Sequence, residues 1–255
     1  MNLHLSIVAS IVAVLSWFSI TPSAQAAGLC QGIAVPAYFY PGSLWTAAIG
    51  SAPRTTLMIM NPNSGPSTIK DANYASAVAK AQAAGGKVLG YVATNYGNRP
   101  VVDVKNEINA YKSWYGVDGI FLDEVHYDAA YLPYYKMLAN YTRGSKGGFV
   151  MFNPGMVPAE GYVKLADTTI VFEDSYADYQ KWVPPSWMYK YPAGKLTHLV
   201  YKASDATQLT NAINLSRSRN AGMIYITNDV LDNPWDTLPS YWVSEVNTMT
   251  AKCAP

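Results

Sequence analysis

Two apolar runs in this chain end in pairs of carboxylates. Val117-Asp118-Gly119-Ile120-Phe121-Leu122 stops at Asp123-Glu124, and Thr169-Ile170-Val171-Phe172 stops at Glu173-Asp174. An ionised carboxylate is costly to strip of water, so acids closing a hydrophobic strand belong at a mouth that faces solvent. Two strands bringing carboxylates to one rim supply what hydrolysis of a glycosidic bond requires. One group protonates the leaving oxygen, and the other attacks or activates water. For either pair alone, the ordinary alternative is a helix N-terminus with its acids on the dipole. Recurrence on two strands favours chemistry. Side chains alternate along a strand, so Asp123 shares the inward face with Phe121 and leaves Glu124 as a supporting or capping group. Glu173, behind Val171 and Phe172, is the better general acid, because apolar surroundings raise a carboxyl pKa. Asp123 is then the nucleophile, or the base if the reaction inverts.

The elements that must position these acids are short apolar strands alternating with helical stretches. Candidate strands span Gly32–Tyr40, Thr56–Asn61, Lys87–Thr94, Gly119–Asp123, Gly148–Asn153, Thr169–Glu173, His198–Tyr201 and Gly222–Thr227. Most are continuous apolar runs, as parallel strands covered on both faces require. Helical patterns cover Asp71–Ala84, Val101–Tyr115, Tyr127–Arg143, Ala206–Arg219 and Asp236–Lys252. In Ala206–Arg219, the residues Leu209, Ala212, Ile213 and Leu215 suit one helix face. Connections after the first and sixth strands are less clearly helical. Eight strand–helix units in one chain predict a single (β/α)8 TIM barrel with its site at the C-terminal strand ends. A doubly wound open sheet is the alternative, but no glycine-rich phosphate fingerprint follows any strand.

Reading those strand ends in order gives Tyr38 and Tyr40, Asn61 and Asn63, then Tyr91, Thr94 and Tyr96. Asp123 and Glu124 follow, then Asn153, Glu173 and Asp174, Tyr201, and finally Thr227, Asn228 and Asp229. Flat rings to stack on, with amides and carboxylates to bond hydroxyls, are what sugars need. Asn61-Pro62-Asn63-Ser64-Gly65-Pro66 and Asn153-Pro154-Gly155 also read as plain turns, and most tyrosines are packing residues by default. The three histidines offer no metal-ligand spacing and no nucleophile triad, so neither metal nor cofactor is expected.

Composition excludes other classes. The formal net charge is +1 and half the residues are hydrophobic, which gives a large core and no footprint for nucleic acid. Leu5 to Ile20 is a short apolar stretch followed by the small-residue site Ala24-Gln25-Ala26. Residues 1–26 are therefore expected to be a secretory signal, although no Lys or Arg precedes the stretch. Residues 27–255 then form one secreted domain, extracellular, periplasmic or wall-associated, without stable membrane association and expected to be monomeric. In an oxidising compartment, Cys30 and Cys253, the only two cysteines, are expected to pair. Closing so long a loop stabilises a fold by about 4–5 kcal/mol in the chain-entropy model. Asn140-Tyr141-Thr142 and Asn214-Leu215-Ser216 are sequons.

The motifs also carry a resemblance. In order come Val35-Pro36-Ala37-Tyr38-Phe39-Tyr40-Pro41-Gly42, Asn61-Pro62-Asn63-Ser64-Gly65-Pro66 and Gly90-Tyr91-Val92-Ala93-Thr94-Asn95-Tyr96-Gly97. The Asp-Gly-Ile-Phe-Leu-Asp-Glu run, Asn153-Pro154-Gly155 and Val171-Phe172-Glu173 follow. Together they resemble the spherulin-4-like proteins, the group that contains glycoside hydrolase family 135; Ser67 stands where another Gly is expected. The resemblance implies a secreted hydrolase of polysaccharide containing galactosamine or N-acetylgalactosamine, such as a biofilm or wall exopolysaccharide, with Asp123, Glu124 and Glu173 as its key acids. An acid surplus at the mouth would further suit a partly de-N-acetylated, cationic glycan. The alternative is a non-catalytic carbohydrate-binding or wall protein on the same fold. A metal-dependent deacetylase is disfavoured by the scattered histidines.

Overall fold

The computed structural model describes residues 30–144 and 147–250, the last of these by its backbone alone. The apolar N-terminal stretch, its Ala24-Gln25-Ala26 site and Cys253 lie outside the described residues. Eight parallel strands close into a barrel in chain order. They are β1 (Gly32–Ala37), β2 (Thr55–Met60), β3 (Lys87–Ala93), β4 (Gly119–Asp123), β5 (Phe149–Phe152), β6 (Thr168–Ser175), β7 (Leu196–Tyr201) and β8 (Met223–Ile226). Pairing of Gly32 with Met223 and Ile33 with Ile224 seals β1 to β8. The (β/α)8 expectation holds.

The outer layer comprises α1 (Ser43–Ile49), α2 (Ala72–Ala83), α3 (Val101–Tyr115), α4 (Leu132–Arg143), α5 (Gly161–Leu165), α6 (Tyr176–Lys181), α7 (Ala206–Ser218) and α8 (Trp242–Thr250). Local chemistry sets their ends. Asp71 caps α2 by accepting from the Asn73 N–H, and Asp205 caps α7 through Thr207 and Gln208. On α7, Leu209, Ala212 and Ile213 are buried as the periodicity requires, while Leu215 is only partly covered. Among the described residues, no helix is long and apolar enough to cross a membrane.

Two helices start later than their patterns predict. The Tyr127–Arg143 stretch begins as a separate turn, Ala129–Tyr131, because the Asp128 carboxylate accepts from the Ala130 N–H and caps it. The last helix begins at Trp242, whose N–H bonds to the Pro239 carbonyl. The residues before it form a loop that folds over the barrel mouth.

Two strand ends control the site. β1 stops at Ala37 and not at Tyr40, because the Tyr38 N–H turns to the Trp235 carbonyl at 3.1 Å. On β6 the register against β7 shifts between Ile170 and Phe172, a bulge that adds one residue. Val171 and Phe172 therefore both face outward. Val171 joins Val163, Met188 and Leu196, and Phe172 packs on Tyr179, Trp182 and His198. The extra residue restores the alternation so that Glu173 faces the barrel mouth. Without it, the acid would point into the helical layer.

Candidate active site

Asp123 and Glu173 meet on one amide. The Asn153 Nδ2 donates to Asp123 Oδ1 at 2.8 Å and to Glu173 Oε2 at 2.6 Å. β4 ends at Asp123, β6 carries Glu173, and Asn153 directly follows β5 between them. The Asn153 N–H continues the strand ladder onto the Leu122 carbonyl, and its Oδ1 accepts from Gly155, so both ends of the side chain are fixed. The backbone thus holds the bridge from below and the Pro154 turn holds it from above.

Electrostatics separate the two acids. Burial, then the negative charge of Asp123, push the Glu173 carboxyl up to about 7, against the opposing hydrogen bonds from Asn153 and the Trp235 indole. Burial also raises Asp123, but hydrogen bonds from the Tyr91 hydroxyl, the Glu124 N–H and Asn153 oppose it. Glu173 is therefore the acid of the pair placed to carry a proton as pH approaches neutrality. The bulge sends Val171 and Phe172 to the other side of the sheet from the Glu173 carboxyl. Glu173 is desolvated by its seat in the mouth.

Around the pair is a cleft of about 340 Å³ lined by Tyr96, Asp123, Glu124, Asn153, Pro154, Gly155, Glu173, Tyr201 and Leu231. Beneath it a column of rings runs into the barrel, Tyr38 against Tyr91 at 5.6 Å and Tyr91 against Phe121 at 5.8 Å. Asp123 follows Phe121 onto this inner face, as the alternation requires. Tyr91 thus supports an acid from below. Asp174 joins from the side by accepting from the Tyr201 hydroxyl at 2.9 Å.

Glu124 has a different task. Its backbone is left-handed (φ +50), as are Asn95 (φ +46) and Tyr96 (φ +52). Such angles are strained for residues with a side chain and persist only where contacts impose them. Here the Glu124 carboxylate accepts from the Asn95 N–H at 3.0 Å and its carbonyl from the Tyr96 N–H at 2.7 Å. The loops after β3 and β4 are clamped together, and Tyr96 is held over the cleft.

Other strand-end residues do not enter the cleft. Thr94 is fully buried, its hydroxyl set between the Asp123 and Glu124 carbonyls and the Tyr135 hydroxyl at 2.7–2.9 Å. It supports the acid pair and cannot meet substrate. Tyr40 turns outward, donating to Asp71 and accepting from Asn73 at the head of α2. Asn61 accepts from the Gly65 N–H and braces its own loop, in which the Asn63 N–H bonds back to the Gly65 carbonyl. Asn228 accepts from the Ser240 N–H, and Asp229 bonds to Val230 and to Asp236. In these cases, turns leaving the barrel use the polar group to satisfy backbone or loop partners.

Two site residues were missed from the sequence, Leu231, which lines the cleft, and Trp235. Trp235 lies beyond β8, its indole donating to Glu173 and its ring packed on Tyr201 at 6.3 Å and Tyr225 at 6.0 Å. An aromatic in the turn-like run Asp232-Asn233-Pro234-Trp235 was the available signal. His198 is sealed behind β7 against the Tyr179 hydroxyl, where burial lowers it to about 3. Among the described residues, no group of three or more His, Cys, Asp or Glu is arranged to hold a metal.

The comparisons with known proteins agree with the fold. Over 88% of its length, the chain superposes on 98% of Sph3 from Aspergillus clavatus, solved in complex with GalNAc, with TM-score 0.76 and 26% identity. The spore cortex-lytic enzyme SleL of Bacillus cereus shares the fold at TM-score 0.58 and 12% identity, over 88% of this chain and 75% of that one. Spherulin-4 of Physarum polycephalum is 34% identical over 235 residues, 85% of this chain and 69% of that protein. The model of spherulation-specific family 4 matches residues 32–249, and the chain belongs to that family.

Proposed function

We propose that the protein is a secreted, monomeric glycoside hydrolase that cleaves within polysaccharide containing galactosamine or N-acetylgalactosamine, with Cys30 and Cys253 paired. The observation that carries this reading is the single Asn153 amide shared by Asp123 and a Glu173 that holds its proton up to about pH 7. The amino-sugar part is supported by the family relative crystallised with GalNAc.

The geometry favours retention of configuration. Both bonds start from one nitrogen, at 2.8 and 2.6 Å, so the two bonded carboxyl oxygens lie no more than about 5.4 Å apart, the spacing of retaining enzymes and short of the roughly 6.5–9.5 Å of inverting ones. In the first step Glu173 gives its proton to the leaving glycosidic oxygen while the Asp123 carboxylate attacks the anomeric carbon. The C–O bond breaks and a glycosyl ester forms on Asp123. In the second, Glu173 takes a proton from water, which attacks the same carbon and frees Asp123. Hydrogen bonds from Tyr91 and Asn153 favour the ionised form of Asp123 that the first step uses.

The test is to follow the size of a galactosamine-rich exopolysaccharide by size-exclusion chromatography. A rapid fall in chain length with few monomers is expected; an unchanged polymer that still binds the protein would favour the non-catalytic alternative.

Two further outcomes follow from the surroundings of the acids. Trp235→Phe keeps the ring but removes a donor that stabilises ionised Glu173. The Glu173 pKa should rise, moving the alkaline limb of kcat/KM upward by about half a pH unit. A limb that stays in place or moves down would show that the indole does not tune this acid. Asp123, Glu124, Glu173 and Asp174 also give the mouth a negative surplus suited to a partly de-N-acetylated polymer. KM for such a polymer should rise with salt more steeply than KM for the fully acetylated one, and parallel salt curves would remove the cationic preference.

A further inference from the structure

The cleft does not end at the acids. On the β3 side Tyr96 lines it, and a Cβ on the following Gly97 would lie 2.5 Å from the Tyr131 ring, so that ring is packed against the Tyr96 loop. On the β5 side Pro154 and Gly155 line it, and Met156 after them is 52% exposed. Between these two loops, just beyond Glu124, the chain presents His126 and Tyr127. The His126 ring stacks on Tyr131 with centroids 3.9 Å apart and planes at 10°, and on Tyr127 at 5.1 Å and 26°.

This stack is fixed by the backbone. The His126 N–H donates to the Tyr135 hydroxyl at 2.9 Å, the Asp128 N–H to His126 Nδ1 at 3.0 Å, and the Ala159 N–H to the Tyr127 carbonyl at 2.9 Å. Tyr127 is nonetheless 51% exposed. A large ring stacked on a fixed neighbour, half open to water and beside the loops that line the cleft, is ready to stack on a flat partner at little cost in side-chain entropy. Apart from Asp128, whose carboxylate caps the Ala129–Tyr131 turn, the stack adds rings to a mouth whose acids lie further in. The apolar face of a pyranose ring fits that surface.

We propose that Tyr127, backed by His126 and Tyr131 and with Met156 on the loop after β5, is a further glycan subsite that stacks on a hexosamine ring of the chain leaving the cleft over β4. The inference rests on reading the cleft as a glycan site. It makes the protein selective for long oligosaccharides, because only a chain that fills the cleft and continues outward reaches Tyr127.

Calorimetric binding in a Glu173→Gln background tests it, with a disaccharide and a heptasaccharide of N-acetylgalactosamine as probes. The ratio of heptasaccharide to disaccharide affinity should fall about tenfold on Tyr127→Ala, a change of one stacked ring. Tyr127→Phe should restore it, and Met156→Ala should lower it by a smaller factor, which keeps the test sound if Tyr127→Ala fails to fold. Tyr189→Ala, a tyrosine of similar exposure (53%) on the turn before β7, should leave the ratio unchanged. An unchanged ratio for both Tyr127→Ala and Met156→Ala, with both probes bound, overturns the subsite and leaves the cleft standing. Failure of both probes to bind the background protein overturns the glycan reading and the subsite with it.

Discussion

Glu173→Gln is expected to lower kcat by about 10³- to 10⁴-fold and, at the same time, to raise the melting temperature above neutral pH. The first effect follows from removing the acid placed to protonate a leaving oxygen, whose carboxyl is pushed up to about 7 by burial and the Asp123 charge. The second follows from linkage. In the native protein burial and the Asp123 charge hold Glu173 at about 7, whereas an unfolded Glu titrates near its ordinary value of 4.5. A raised native pKa contributes stability at low pH that is lost as pH climbs from about 4.5 through 7, because the unfolded chain releases its proton over that range while the desolvated native group keeps its own. The cost at pH 8 is at most about 3 kcal/mol, or roughly 5–10 °C for a domain of this size. A neutral Gln avoids it, and its amide oxygen still accepts from Asn153 and Trp235. The melting-temperature gap between variant and native protein should therefore be near zero at pH 4 and widen toward pH 8. A gap independent of pH would show that Glu173 is not held protonated by its surroundings.

Asp123→Asn is expected to cost at least about 10³-fold in kcat, since an amide cannot form the glycosyl ester. The variant also reports on the coupling between the acids. The Asp123 charge is the second largest cause of the raised Glu173 pKa, after burial. Its removal should move Glu173 downward, which a carboxyl-carbon NMR titration of the two proteins would read directly. If Asp123 is the nucleophile, native products retain the anomeric configuration of the polymer, and Asp123→Ala supplied with azide yields the inverted glycosyl azide. Inverted sugar products from the native protein would instead make Asp123 a base and require water between the two carboxyls.

The parts of this site visible in the sequence share one physical cause. Phe121-Leu122-Asp123 and Val171-Phe172-Glu173 are strands whose apolar runs end where solvent begins, and parallel barrel strands end on a common face. Asn153 was legible for the same reason. That rule says where a strand stops but not what the chain does next. Tyr40 was lost to the site because Tyr38 hydrogen-bonds to the Trp235 carbonyl and the chain leaves the barrel early. Thr94 sits at the correct height yet is roofed by the crossing of two strained loops. Asn61 and Asn228 are consumed in bracing their own turns.

Trp235 shows the converse. It reaches Glu173 from a loop long after the last strand, placed by ring contacts with Tyr201 and Tyr225 that no local spacing encodes. The β6 bulge is equally silent, for nothing in Ile170-Val171-Phe172 marks an extra residue, yet it decides which way Glu173 points. Strand identity is written in short-range pattern, whereas the aim of a side chain depends on register with a neighbour. That neighbour is set by the closed barrel.

The most direct test of the central claim is mass spectrometry of the products after native protein and its Glu173→Gln variant are each incubated with galactosamine-rich exopolysaccharide. The account predicts a ladder of oligosaccharides from the native protein and none from the variant. Equal ladders from both would contradict the assignment of Glu173. No products from either, with the polymer still bound, would contradict hydrolysis itself.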